Sequence, residues 1–123
     1  MKRLKDVSSE MKVRMSRRRE AAAARRFALS AGEVSQVSTR LTQLCRAKQM
    51  HERAMRTLID DGGDALNLNM YRQCLADIEN AIDEEKSRLQ LASERAGMRR
   101  SELIRAMGWR RGAKDVSRRT AGA

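Results

Sequence analysis

The stretch Leu58-Ile59-Asp60-Asp61-Gly62-Gly63-Asp64-Ala65-Leu66-Asn67-Leu68-Asn69-Met70-Tyr71 decides the fold. It holds the only Gly-Gly pair in a chain of 123 residues that has no proline. Adjacent glycines flanked by aspartates favour a tight reversal, because glycine enters backbone regions closed to other residues. Asn67 and Asn69 follow, and either can accept a backbone N–H bond at the start of a helix. On both sides the sequence is rich in Ala, Arg, Glu, Leu and Met, good helix formers. The reading is one domain: a first helix over about 3–59, a turn at 60–66, a second helix over about 68–111 and a flexible tail over 112–123.

Apolar residues recur alternately three and four apart on both sides of the turn. The second helix carries Tyr71, Leu75, Ile78, Ile82, Glu85, Leu89, Ala92, Ala96, Arg99, Leu103 and Ala106 on one seam. The second half of the first helix carries Val34, Val37, Leu41, Leu44, Lys48, His51, Met55 and Leu58. Its first half gives a weaker series, Leu4, Met11, Met15, Arg18, Ala22, Arg25 and Leu29, with a one-residue slip between Leu29 and Val37. Such a stutter locally unwinds a supercoil. Two heptad helices joined by a short turn pack antiparallel. The expected fold is therefore all-α, two long helices forming an antiparallel coiled-coil hairpin. One Trp, one Tyr and one Phe are too few for a thick globular core, and turn residues are too sparse for a β protein.

Charge is distributed unevenly. Lys and Arg number 27 against 16 Asp and Glu, a net charge of +11. Residues 1–26 carry +7, residues 27–97 carry −2 and residues 98–123 carry +6. A hairpin brings the two basic ends together. Their mutual repulsion calls for a partner that supplies negative charge. Three classes qualify. Nucleic acid is one, since Arg17-Arg18-Arg19 and Arg25-Arg26 ahead of a heptad seam are similar in part to the basic region of a leucine-zipper factor. The asparagine that reads base edges in that family has no counterpart here. An acidic membrane surface is the second, but the basic stretches lack a broad aromatic and aliphatic opposite face. An acidic protein surface or channel is the third. No apolar run is long enough to span a bilayer, and no signal sequence is visible, so a cytoplasmic protein with reduced thiols is expected.

Sites for chemistry are missing. Gly62-Gly63 lacks the Lys-Ser/Thr of a phosphate loop, and Asp60, Asp61 and Asp64 do not match calcium-loop spacing. His51 is the only histidine and falls on the seam. Cys45 and Cys74 are expected too far apart along the hairpin for a disulfide, and with one histidine no zinc site is expected. Asp83, Glu84 and Glu85 read as surface plus one seam position rather than a catalytic pair. The expectation is a protein that is not an enzyme and holds no cofactor.

The stretch from Leu44 to Leu89, with its Asp/Gly turn, Asn67-Leu68-Asn69-Met70-Tyr71, Leu75, Ile78, Ala81-Ile82 and Leu89, resembles the FliJ/YscO family of type III secretion stalk proteins. The resemblance implies a helical hairpin whose paired termini enter the pore of a hexameric export ATPase. It implies a turn-proximal part that faces the export gate and escort chaperones, in a flagellar or virulence system, at the cytoplasmic side of the inner membrane. Carried over by position, the gate and chaperone surface would comprise Leu44, His51, Cys74, Ile78, Ala81 and Glu85. Ile78 and Ala81 match the family's residue types; His51, Cys74 and Glu85 depart from them. Arg14, Arg17, Arg18, Arg19, Arg25, Arg26, Arg99, Arg100, Arg105, Arg110 and Arg111 would supply the field that faces the ATPase ring. The alternative is a basic coiled-coil nucleic-acid-binding protein.

Overall fold

A computed structural model describes the backbone of residues 4–122, and side chains for residues 4–109, 111 and 112. Helix α1 spans Leu4–Asp60 and helix α2 spans Ala65–Gly122. No strand occurs among the described residues, and the chain is an all-α helical hairpin. It divides into two compact units. The terminal unit comprises 1–32 with 93–123, and the turn unit is 33–92.

The reversal is built by the glycine pair in two different ways. Gly62 takes a positive φ of 72°, the left-handed position that follows a helix end. Its N–H donates to the Ile59 carbonyl at 3.1 Å, and the Gly63 N–H donates to the Leu58 carbonyl at 2.7 Å. These two bonds are the paired closures that satisfy orphan carbonyls at a helix C-terminus. Gly63 is required for space instead. A Cβ there would collide with the Leu58 side chain and lie 2.7 Å from its carbonyl oxygen. The second helix starts earlier than expected. Asp64, not Asn67 or Asn69, caps it: its Oδ1 accepts the Leu66 N–H at 2.9 Å. At the other end α2 runs past the helix end expected near residue 111 and continues to Gly122. One glycine costs only about 1 kcal/mol relative to Ala, and no proline enforces a stop.

The inner seam of α2 comprises the eleven positions expected from sequence, each buried or half-buried. So does the second half of the α1 seam, Val34 to Leu58. The first half differs. Leu4 is 90% and Leu29 74% exposed, and Met11, Met15, Arg18 and Arg25 are exposed as well. The inward line is Asp6, Ser9, Val13, Ser16, Glu20, Ala23, Phe27 and Ser30, which joins Val34 and Val37 with no stutter. Continuity of the heptad phase therefore outweighs side-chain size. Ser9, Ser16, Ala23 and Ser30 share the seam with Val13 and Phe27, while Leu4, Met11, Met15 and Leu29 stand outside it.

Candidate partner-binding surfaces

The terminal unit concentrates the charge. Its residues include nineteen Lys and Arg against six Asp and Glu, a net +13, whereas the turn unit carries −2. Arg14, Arg17, Arg18, Arg19, Arg25, Arg26, Arg100, Arg105 and Arg111 are exposed, and Arg99 is half-buried. The Arg110 side chain lies outside the described residues. The unit's inner seam binds weakly, because among its described residues only Ala23, Ala106, Ser16 and Ser30 are buried. A buried methyl-sized group contributes about 0.8 kcal/mol, against about 1.5–3 for a Val, Leu or Ile side chain.

A groove of about 430 Å³ runs between the helices of this unit. Ala22, Ala23 and Ala106 are among its lining residues, and Arg18, Arg19, Arg26, Glu102, Arg105 and Trp109 complete the lining. Glu102 holds two arginines: Arg26 Nε at 3.7 Å and Arg99 Nη1 at 3.1 Å. The Arg19 guanidinium sits 5.4 Å from the centre of the Trp109 ring, a cation–π contact. Trp109, 56% exposed, was not among the residues expected from sequence to bind a partner. The available signal was that it is the only tryptophan and stands among arginines.

The turn unit has a more apolar inner seam, with Val37, Leu75, Ile82 and Ala92 buried. His51 is half-buried, its Nδ1 2.9 Å from the Ala47 carbonyl oxygen, which makes that nitrogen the donor. Its ring meets Tyr71 edge-on, with centroids 6.2 Å apart. Leu44, Ile78 and Ala81 are half-buried too, Cys74 is exposed, and Glu85 is 5% exposed. So of the six positions carried over as a gate and chaperone surface, only Cys74 is exposed. Glu85 bonds to Arg88 through Oε1, while its Oε2 has no partner. Lys48 bridges the two helices to Glu79 at 3.6 Å. Cys45 and Cys74 are free.

Among the described residues no helix is long and apolar enough to cross a membrane, and no cluster of three or more His, Cys, Asp or Glu could hold a metal. A helical hairpin with one strongly basic unit is a coiled-coil association protein in class. Its family follows from the sequence as a whole: residues 10–121 match the model of the Flagellar FliJ protein, and the chain belongs to the FliJ family. No curated protein and no solved structure matches it. Membership supports a structural role related to flagellar export, in general terms, rather than an enzymatic one.

Proposed function

We propose that the protein is a non-enzymatic stalk that inserts its basic terminal unit into the acidic pore of a hexameric type III export ATPase. The observation that carries this reading is the coincidence of the charge boundary with the structural one, +13 against −2. Long-range attraction speeds and orients docking without a unique bidentate contact. Arg14, Arg17, Arg18, Arg19, Arg25, Arg26, Arg99, Arg100, Arg105, Arg110 and Arg111 supply the field. The turn unit faces the export gate and escort chaperones through Cys74 and the accessible rims of Leu44, His51, Ile78 and Ala81, with Glu85 supporting them from inside. The stalk then works in the cytoplasm, peripheral to the inner-membrane export apparatus.

The test is stimulation of the type III export ATPase from the same organism. Replacing the arginines of 14–26 by glutamate is expected to abolish stimulation, and raising salt to weaken it. Full stimulation by the reversed variant contradicts the docking mechanism. Tight, sequence-selective binding to DNA or RNA by the unmodified chain, with no effect on the ATPase, supports the nucleic-acid alternative.

A further inference from the structure

The first half of α1 has two stripes at heptad spacing. One is the inner seam. The other, Leu4, Met11, Met15, Ala22 and Leu29, is mostly exposed. At about 100° per residue, Leu4 and Met11 face away from the seam, whereas Met15, Ala22 and Leu29 lie on the side of Arg19 and Arg26, which line the groove. On α2 the same construction puts Met98, 66% exposed, on the side of Arg105 and Trp109. Met15 and Leu29 thus continue the Ala22 wall of the groove by one heptad in each direction. Its lining residues recur three and four apart on both walls, Arg19, Ala22, Ala23 and Arg26 against Glu102, Ala106 and Trp109. That repeat matches the ridges of a third helix.

We infer that this groove receives an acidic amphipathic α-helix of a partner protein, with Trp109 as its anchor. The inference rests on the stalk reading above and names the chemistry that this unit recognises. Charge complementarity selects the occupant. Arg18 and Arg105 make no ion pair among the described residues, and Arg19 is engaged only with the indole face. Carboxylates flanking the incoming helix meet these guanidinium groups, and its leucines lie on the alanine floor and the Trp109 edge. Trp and Arg dominate binding energy at interfaces, whereas a diffuse basic field alone does not distinguish one polyanion from another.

The experiment uses the full chain and a fluorescein-labelled helical peptide with leucines three and four residues apart and glutamates on the flanks. Polyglutamate and a single-stranded oligonucleotide of equal charge are the comparisons. Trp109 is the only tryptophan, so its emission reports on the groove directly. The peptide is expected to shift that emission to the blue and shield it from iodide, while polyglutamate does neither. Trp109→Ala is expected to weaken peptide binding about tenfold or more, Trp109→Phe only a few-fold, and Lys12→Ala, which removes a charge from an exposed position of the same unit, less than twofold. Circular dichroism checks that the variants fold. Equal binding of peptide and polyglutamate, unaffected by Trp109→Ala, overturns the inference, as does a preference for the oligonucleotide with Trp109 quenched. The same variants are measured against the ATPase. Loss of binding on arginine reversal but not on Trp109→Ala leaves the docking mechanism standing and removes the groove. Failure of the unmodified chain to bind the ATPase removes the docking mechanism, and the peptide arm then decides the groove alone.

Discussion

The terminal and turn units share two helices and one heptad register, yet they use that register differently. In the turn unit the buried positions are Val37, Leu75, Ile82 and Ala92, with Glu85 as the polar interruption. Among the described residues of the terminal unit they are Ser16, Ala23, Ser30 and Ala106, while Leu4, Met11, Met15, Leu29, Met98 and Trp109 are exposed. The turn unit buries Val37, Leu75 and Ile82 at its seam, although Met50, Ile59, Leu66, Met70 and Leu91 stand exposed outside it. The terminal unit buries only small residues among those described, and its exposed apolar residues stand amid thirteen uncompensated positive charges. A small-residue seam under electrostatic strain holds together weakly without help, so the terminal unit gains most from a partner.

Two perturbations bear on this difference. The larger one sharpens it. Glu85 occupies a buried seam position with one oxygen unpartnered. Its partner Arg88 is exposed and also lies 3.9 Å from Glu84, so removing Glu85 leaves no buried charge unpaired, and exchanging buried ionic groups for apolar ones of similar size is often neutral to stabilising by about 1–4 kcal/mol. Glu85→Leu is expected to raise the denaturation midpoint of the turn unit and leave amide exchange in the terminal unit unchanged. A loss of stability would show that the Glu85–Arg88 pair, not apolar burial, holds that seam.

The smaller perturbation narrows the difference. Salt screens exposed charges beyond about 8–10 Å near physiological strength. Added sodium chloride is expected to slow amide exchange several-fold at residues 4–32 and 93–112 and to change 40–85 little. Equal slowing in both units would mean that self-repulsion does not limit the terminal unit.

Much of this architecture is legible in the sequence, and the exceptions share a cause. The seam of α2 declares itself because Leu75, Ile78, Ile82 and Leu89 are large and β-branched or aliphatic at regular spacing. The glycine pair declares the turn because no other residue type fits at Gly63. The first half of α1 misleads because size points to the wrong stripe. Leu4, Met11, Met15 and Leu29 look like a core, but the inward phase is fixed by Val34–Leu58 downstream. What reads as a faltering seam is an intact outer stripe. The helix cap at Asp64 was hidden for a simpler reason: aspartate serves turns and caps alike, and only the bond to Leu66 distinguishes them. Trp109 was legible as a lone aromatic, but its contact with Arg19 depends on pairing between the helices.

The central claim is that the basic terminal unit, and not the turn, is the part that enters the ATPase. Hydrogen exchange of the full chain, free and bound to the hexameric ring, tests it most directly. The account predicts new protection at residues 4–32 and 93–112, with residues 55–70 exchanging as in the free chain. Protection centred on the Gly62-Gly63 turn, with the terminal amides unchanged, would contradict it.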